Sequence, residues 1–102
     1  MSIFHKLDKD HNVVPCTAEE FAAMSDEERR VGRDQIGDYL VSTVFLGIDH
    51  GHGAGVPLFF ETMIFGLNSD VYCGRRSTWA EAEEEHAHGV RIAKETIEEM
   101  NA

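Results

Sequence analysis

The sequence is poor in cysteine and in positive charge. Its two cysteines, Cys16 and Cys73, lie far apart and in no paired-cysteine motif. Neither a disulfide framework nor a paired-cysteine metal site is therefore predicted, and both thiols are expected to be free in a reducing compartment. Nine Lys and Arg residues stand against nineteen Asp and Glu residues, which gives a formal net charge of −10. Because neutralisation of phosphates drives binding to nucleic acids, this balance argues against non-specific nucleic-acid binding.

Long apolar runs are also missing. The longest run, residues 56–60, is far shorter than the roughly 20 residues that a membrane-spanning helix needs, so no membrane partner is expected. Residues 1–6 contain no apolar stretch that resembles a signal peptide, which predicts a cytoplasmic protein. A chain of 102 residues suits one domain, residues 1–102, with a core large enough to be stable without disulfides or structural metal ions.

The N-terminal third carries a hairpin signal followed by helix signals. Two β-prone pairs flank turn-forming residues within residues 2–15, which predicts a small edge hairpin. Thr17 and Glu20 have the spacing of a capping box, and residues 25–28 repeat that spacing. We therefore predict one short helix here, kinked or restarted, that ends by Arg30.

The middle of the chain has the composition of strands. Gly37 and Asp38 stand between β-favouring residues, which predicts a two-residue hairpin turn. Residues 39–48 and 58–65 are rich in β-branched and aromatic side chains. Alternate residues of a strand point to opposite faces, and both faces are largely apolar here, which indicates central strands covered on two sides. One more short strand is expected around residues 71–73.

The C-terminal segment has the clearest helical pattern. Thr78 and Glu81 form another capping box, and an inward stripe recurs after it at three- and four-residue steps. The stripe consists of Trp79, Ala82, His86, Val90, Ala93, Ile97 and Met100. The patterns predict an α+β fold, in which an antiparallel sheet of four to five strands packs against a long C-terminal amphipathic helix, with one short helix after an N-terminal hairpin. The second sheet face then needs the first helix or a second subunit, so a homodimer is one expectation.

Metal-ligating residue types gather around a glycine-rich loop. Asp49, His50 and His52 lie in this loop, Glu61 lies on the following strand, and His86 lies on the helix stripe. Imidazoles and carboxylates bind zinc and other divalent cations, so His50, His52 and His86 are candidate metal ligands. The alternative is that no cofactor binds: the loop is then a solvated turn, and His86 is a hydrogen-bonded core residue.

Glu61 and two arginines are further candidates. A carboxylate among apolar neighbours is costly unless it is paired, so Glu61 is a candidate general acid or base, with an ion pair to Arg33, Arg75 or Arg76 as the alternative. Arg75 and Arg76 precede the capping box at Thr78, where they would bind an anion such as a phosphate, with a solvent-exposed or glutamate-paired role as the alternative. The candidate ligand-binding residues are Asp49, His50, Glu61, Arg75, Arg76 and His86.

Three separated motifs carry a resemblance. They are VSTVFLGIDH at residues 41–50, FETMIFG at residues 60–66 and STWAEA at residues 77–82, the last followed by His86. Over residues 29–90 they resemble a family of small uncharacterised proteins encoded by phages and prophages. The resemblance implies a phage origin and expression in the cytoplasm of a bacterial host, and it implies no activity.

Three functional hypotheses follow. Small size, acidity and a second apolar sheet face favour a non-catalytic binding module that acts on a host protein or a small ligand, with a role against host defence. The alternative is a small metal-dependent hydrolase with His50, His52 and His86 as ligands and Glu61 as base. A second alternative is an acidic mimic of nucleic acid, whose carboxylates imitate a phosphate array.

Overall fold

Short elements at the N-terminus follow the hairpin and capping signals. The structure is a computed structural model that describes residues 3–49, 55–66 and 69–101, with backbone alone at residues 69–71. Strands β1 (His5–Leu7) and β2 (Val13–Pro15) pair antiparallel as the predicted hairpin, but they form a separate two-stranded sheet and not an edge of the main sheet. Helices α1 (Ala18–Ala23) and α2 (Asp26–Arg29) follow.

The helix after the hairpin is restarted, which is one of the two predicted forms, so the segment contains two short helices. The Thr17 hydroxyl accepts the Glu20 amide at the start of α1, and the Ser25 hydroxyl accepts the Glu28 amide at the start of α2. Met24 between them has extended backbone, with φ −67° and ψ 129°. Each capping box therefore begins its own helix, because the second box competes with continuation of the first helix.

The main sheet contains four antiparallel strands in the order of the chain. They are β3 (Arg30–Ile36), β4 (Tyr39–Phe45), β5 (Phe60–Gly66) and β6 (Ser69–Arg76). Gly37 supplies the positive φ of 59° that the turn between β3 and β4 requires. Strands β4 and β5 are interior, as predicted, whereas β6 is longer than the short strand expected around residues 71–73.

One long helix covers one face of this sheet. Helix α3 (Trp79–Met100) begins at the predicted box, where the Thr78 hydroxyl accepts the Glu81 amide, and it packs across all four strands. Its buried positions are Ala82, Glu85, Gly89 and Ala93. Met100 was expected on the buried stripe but is 62% exposed, because it is the last residue of the helix.

The two faces of the sheet differ in burial. On β4, Tyr39, Val41, Thr43 and Phe45 are buried beneath α3, whereas the alternate residues Leu40, Ser42 and Val44 are only half-buried. We call the second surface the open face; it includes Arg30, Arg33, Leu40, Ser42, Val44, Leu46, Glu61, Met63, Phe65, Cys73 and Arg75. Both faces of the central strands were expected to be covered. Among the described residues, α3 covers one face, and the open face is only half-buried.

The core beneath α3 falls into two apolar clusters. One is centred on Val41 and Ile64, and the other on Phe45 and Phe60. Among the described residues, no helix combines the length and the apolar character needed to cross a membrane.

Candidate functional site

A row of small and polar residues separates the two apolar clusters. The strand register aligns Gly32 of β3, Thr43 of β4, Thr62 of β5 and Gly74 of β6 directly beside one another. Both threonines are buried, and their hydroxyl oxygens lie 2.7 Å apart. The glycines leave space at the two ends of the row, which side chains of α3 fill.

His86 lies over the Gly32 end of the row. Its Nδ1 atom lies 2.7 Å from the Thr43 hydroxyl oxygen, and its Nε2 atom lies 2.6 Å from the Asp34 carboxylate. For an ionised carboxylate and a neutral imidazole, Nε2 donates to Asp34 and Nδ1 accepts from the Thr43 hydroxyl. Thr62 then donates to Thr43. In that state the chain Thr62–Thr43–His86–Asp34 runs in one direction, and each link joins a donor to an acceptor.

The order hydroxyl, imidazole and carboxylate matches that of a nucleophilic triad. Burial excludes that chemistry here, because Thr43 is 0% exposed and Thr62 is 1% exposed, so no substrate reaches either hydroxyl. The chain of hydrogen bonds instead fixes where α3 lies on the sheet. A buried polar network that is fully satisfied specifies one arrangement of the elements around it.

Glu85 lies over the Gly74 end of the row. Its side chain is only 4% exposed, and it accepts from the Tyr72 hydroxyl and pairs with Arg76, whose Nη2 atom lies 2.6 Å from the second carboxylate oxygen. Burial and the hydrogen bond to Glu85 raise the pKa of Tyr72 above its usual value. Arg76 is therefore a partner of a buried glutamate, as one of the sequence alternatives has it.

Glu61 and His86 lie on opposite sides of the sheet. Glu61 points to the open face and forms an ion pair with Arg75, with 3.1 Å between its carboxylate oxygen and Nε. Its neighbours Phe60 and Thr62 point to α3, where His86 lies. The hydrolase hypothesis needs these two residues at one centre, and the fold does not bring them together.

The predicted metal loop is described only at its ends. Asp49 accepts the Leu58 amide at 2.8 Å and so ties together the two ends of the loop, whereas His50 and His52 lie outside the described residues. Within residues 3–49, 55–66 and 69–101, no group of three or more His, Cys, Asp and Glu residues is placed to hold a metal ion.

Comparison with known proteins finds no matching family model, no matching curated protein and no matching solved structure.

A β-bulge arranges Arg30 and Arg33, and the sequence predicted no joint site for these two residues. Arg33 pairs with Ser42 and Gly32 with Thr43, but Arg30 pairs with Val44 because the register shifts between Arg30 and Gly32. In a regular strand, residues three apart point to opposite faces. The bulge places Arg30 and Arg33 opposite Val44 and Ser42, which both belong to the open face.

These arginines line a cleft at one end of the open face. The cleft has a volume of about 390 Å³, and its lining includes Arg29, Arg30, Arg33, Ser42 and Val44. Arg29 is held in place: its guanidinium donates to the Phe21 carbonyl at 2.5 Å and lies 4.4 Å from the centre of the Phe21 ring. Three of the nine cationic residues of an acidic protein therefore gather at one cleft.

The groups that sequence reasoning missed carried weak signals. Thr43 and Thr62 are polar residues on the most apolar faces of two predicted central strands. Glu85 is three residues after Ala82 and four before Gly89, so it continues a helical stripe, but the surrounding run of glutamates is typical of a solvated face.

Proposed function

We propose that this protein is a non-catalytic binding module that docks a partner protein on the open face of its sheet. The observation that carries the proposal is the difference between the two sheet faces: α3 covers one, and the other presents the cross-strand pairs Leu40–Phe65 and Ser42–Met63. Phe65 is 42% exposed. Apolar surface of this kind next to charged groups is typical of protein interaction sites.

Charge complementarity selects the kind of partner. Arg30 and Arg33 border the half-buried Val44 and Leu46, so the open face combines apolar and cationic groups, whereas the chain as a whole is strongly acidic. An acidic surface segment fits such a face, since opposite charges favour encounter and correct orientation. The resemblance to phage proteins supports a bacterial host protein as this partner, and a role against host defence is the corresponding biological proposal.

The test compares two variants in which a valine is replaced by glutamate. Val44→Glu introduces a carboxylate on the open face, and Val56→Glu introduces the same group at a position that is already 69% exposed and lies outside that face. A host protein captured with the tagged wild-type chain is identified, purified and titrated against all three forms. We expect Val44→Glu to weaken binding at least about tenfold, the effect of replacing an apolar contact with a charge, and Val56→Glu to leave it unchanged. Equal affinities for all three forms would contradict the proposal.

A second copy of this chain is an alternative occupant of the same face. Sedimentation velocity over a range of protein concentrations distinguishes the two occupants. A wild-type homodimer that Val44→Glu dissociates would identify a second copy of the chain, and not the partner protein, as the occupant of this face.

A separate cavity favours a second candidate function, the binding of a small apolar ligand. The cavity has a volume of about 510 Å³, and its lining includes His5, Ile48, Asp49 and Phe59. Within the described part of the chain, His5 Nδ1 is buried and has no hydrogen-bond partner. An apolar pocket with few polar groups is typical of a small-molecule site. A phenol or an indole combines an apolar ring with one polar group, which suits a pocket of this kind.

Thermal-shift measurements with phenol and indole test this second function. We expect stabilisation of the wild-type chain and a smaller effect for His5→Phe, which removes the polar atoms of this lining side chain. No shift with either compound would argue against a ligand site in this cavity.

A further inference from the structure

We infer that Arg30 and Arg33 form a carboxylate-binding site, which receives the acidic side chains of a peptide segment of the partner. The inference rests on the proposed function, since the two arginines belong to the same open face, and it names the chemistry that the face recognises.

The first argument is the bulge. Arg30 and Arg33 would project from opposite faces of a regular strand, and the shifted register places them on one face, opposite Val44 and Ser42. Two like charges on one short strand segment repel each other, and an anion bound between them offsets that repulsion. Bulges often redirect side chains next to functional sites.

The second argument is the pairing of charges. Ion pairs join Lys6 to Glu20, Arg75 to Glu61 and Arg76 to Glu85. In the described part of the chain, neither Arg30 nor Arg33 pairs with a carboxylate, although Asp26 also lines their cleft. Both guanidinium groups thus keep their donors available in a protein with nineteen acidic residues.

The third argument is the chemistry of the cleft wall. A guanidinium group binds a carboxylate through two parallel hydrogen bonds, and the hydroxyl of Ser42 adds a donor beside them. Arg29 is fixed by Phe21 and adds positive charge at the rim. Val44 and Leu46 form an apolar wall that continues onto the open face. This arrangement suits a segment in which acidic and apolar side chains alternate.

Fluorescence anisotropy with a labelled peptide tests the inference. The peptide alternates Glu with Leu, and its counterpart has Gln at every Glu position. We expect the Glu peptide to bind and the Gln peptide to bind at least about tenfold more weakly, the loss expected for one charge-assisted hydrogen bond. The same loss is expected for Arg30→Gln and for Arg33→Gln with the Glu peptide. Urea denaturation of each variant checks that it is folded.

Arg91→Gln is the matched control, because Arg91 is an exposed arginine on α3. It should leave the affinity for the Glu peptide unchanged. An equal loss for Arg91→Gln would overturn the inference, since binding would then reflect net charge alone. Equal binding of the Gln peptide would also overturn it, as would a site that inorganic phosphate fills while the Glu peptide does not bind.

The outcomes separate this inference from the proposed function. If the Glu peptide fails to bind but Val44→Glu still releases the captured partner, the carboxylate site is wrong and the binding face stands. If Arg30→Gln and Arg33→Gln weaken peptide binding while Val44→Glu leaves the partner bound, the carboxylate site stands and the proposed docking face is wrong.

Discussion

The imidazole of His86 lies directly against the backbone of Gly32, so that a Cβ atom added at residue 32 would be 2.7 Å from Nε2. This contact lets His86 reach Asp34 on one side and Thr43 on the other. The position of α3 on the sheet therefore depends on a glycine in a different element, more than fifty residues away in the sequence.

Gly32→Ala should destabilise the protein through this contact. The added methyl group pushes the imidazole out of reach of one of its two partners, and overpacking of this kind costs about 1–3 kcal/mol of unfolding free energy. Urea denaturation measures the loss. In a His86→Ala background, the same substitution should cost less than about 0.5 kcal/mol, because the clashing ring is gone. An equal cost in both backgrounds would show that the contact is not the cause.

Thr43→Val should destabilise the protein more than the same change at Thr96. Thr43 bonds to both Thr62 and His86, so its loss leaves the buried Thr62 hydroxyl without this partner at a cost of about 1–3 kcal/mol and also removes a bond to the part-buried His86. The Thr96 hydroxyl donates to the Ile92 carbonyl within α3, at a half-buried position. Chemical denaturation of both variants checks the difference; a larger loss at Thr96 would contradict the role given to the buried row.

Alkaline pH should destabilise the protein partly through Tyr72. Burial and the hydrogen bond to Glu85 raise the pKa of Tyr72 in the folded state. The folded state thus binds the proton more tightly than the unfolded state does. The contribution of protonated Tyr72 to the unfolding free energy is complete below about pH 10, the usual tyrosine pKa. It is lost as the pH rises through the higher pKa that Tyr72 has in the folded state.

Stability measured from pH 8 to pH 12 for Tyr72→Phe tests this link, over a window set by the usual tyrosine pKa of about 10. The loss at high pH should be smaller than in the wild type. Lys6 and Cys16 also have a raised pKa, from Glu20 and from burial respectively, and they contribute to the alkaline loss of both forms. An identical alkaline loss in the two forms would contradict the contribution of Tyr72.

The start of α3 depends on its capping box. The Thr78 hydroxyl accepts the Glu81 amide, and the Glu81 carboxylate accepts the Thr78 amide. Thr78→Ala should cost about 1 kcal/mol of unfolding free energy, whereas Thr78→Ser should keep most of it. Thermal denaturation of the two variants measures the difference, and equal melting temperatures would argue against a contribution from the cap.

Local signals predicted most of the fold. Capping boxes at Thr17, Ser25 and Thr78 mark the starts of helices because the capping side chain and its partner are only three residues apart. The turn at Gly37 and the alternating pattern of β4 are likewise local. They are determined by neighbouring residues, which a sequence displays directly.

The candidate site was harder to predict because its contacts join distant parts of the chain. The alignment of Thr43 with Thr62 depends on the register between β4 and β5, and the approach of His86 depends on which residue of β3 lies beneath it. The bulge near Val31 changes the face on which Arg30 lies, and nothing in the local composition marks it. The sequence shows Glu61 as a carboxylate among apolar residues. It does not show that Arg75 is the partner of Glu61, because that pairing depends on the register between β5 and β6.

The most direct test of the binding face is site-specific photo-crosslinking. A benzophenone amino acid replaces Met63 on the open face in one variant and the exposed Glu84 on the outer side of α3 in another. We expect the captured host protein to crosslink to residue 63 and not to residue 84. Crosslinking at residue 84 alone would contradict the account, and it would favour an acidic surface of α3 that imitates nucleic acid.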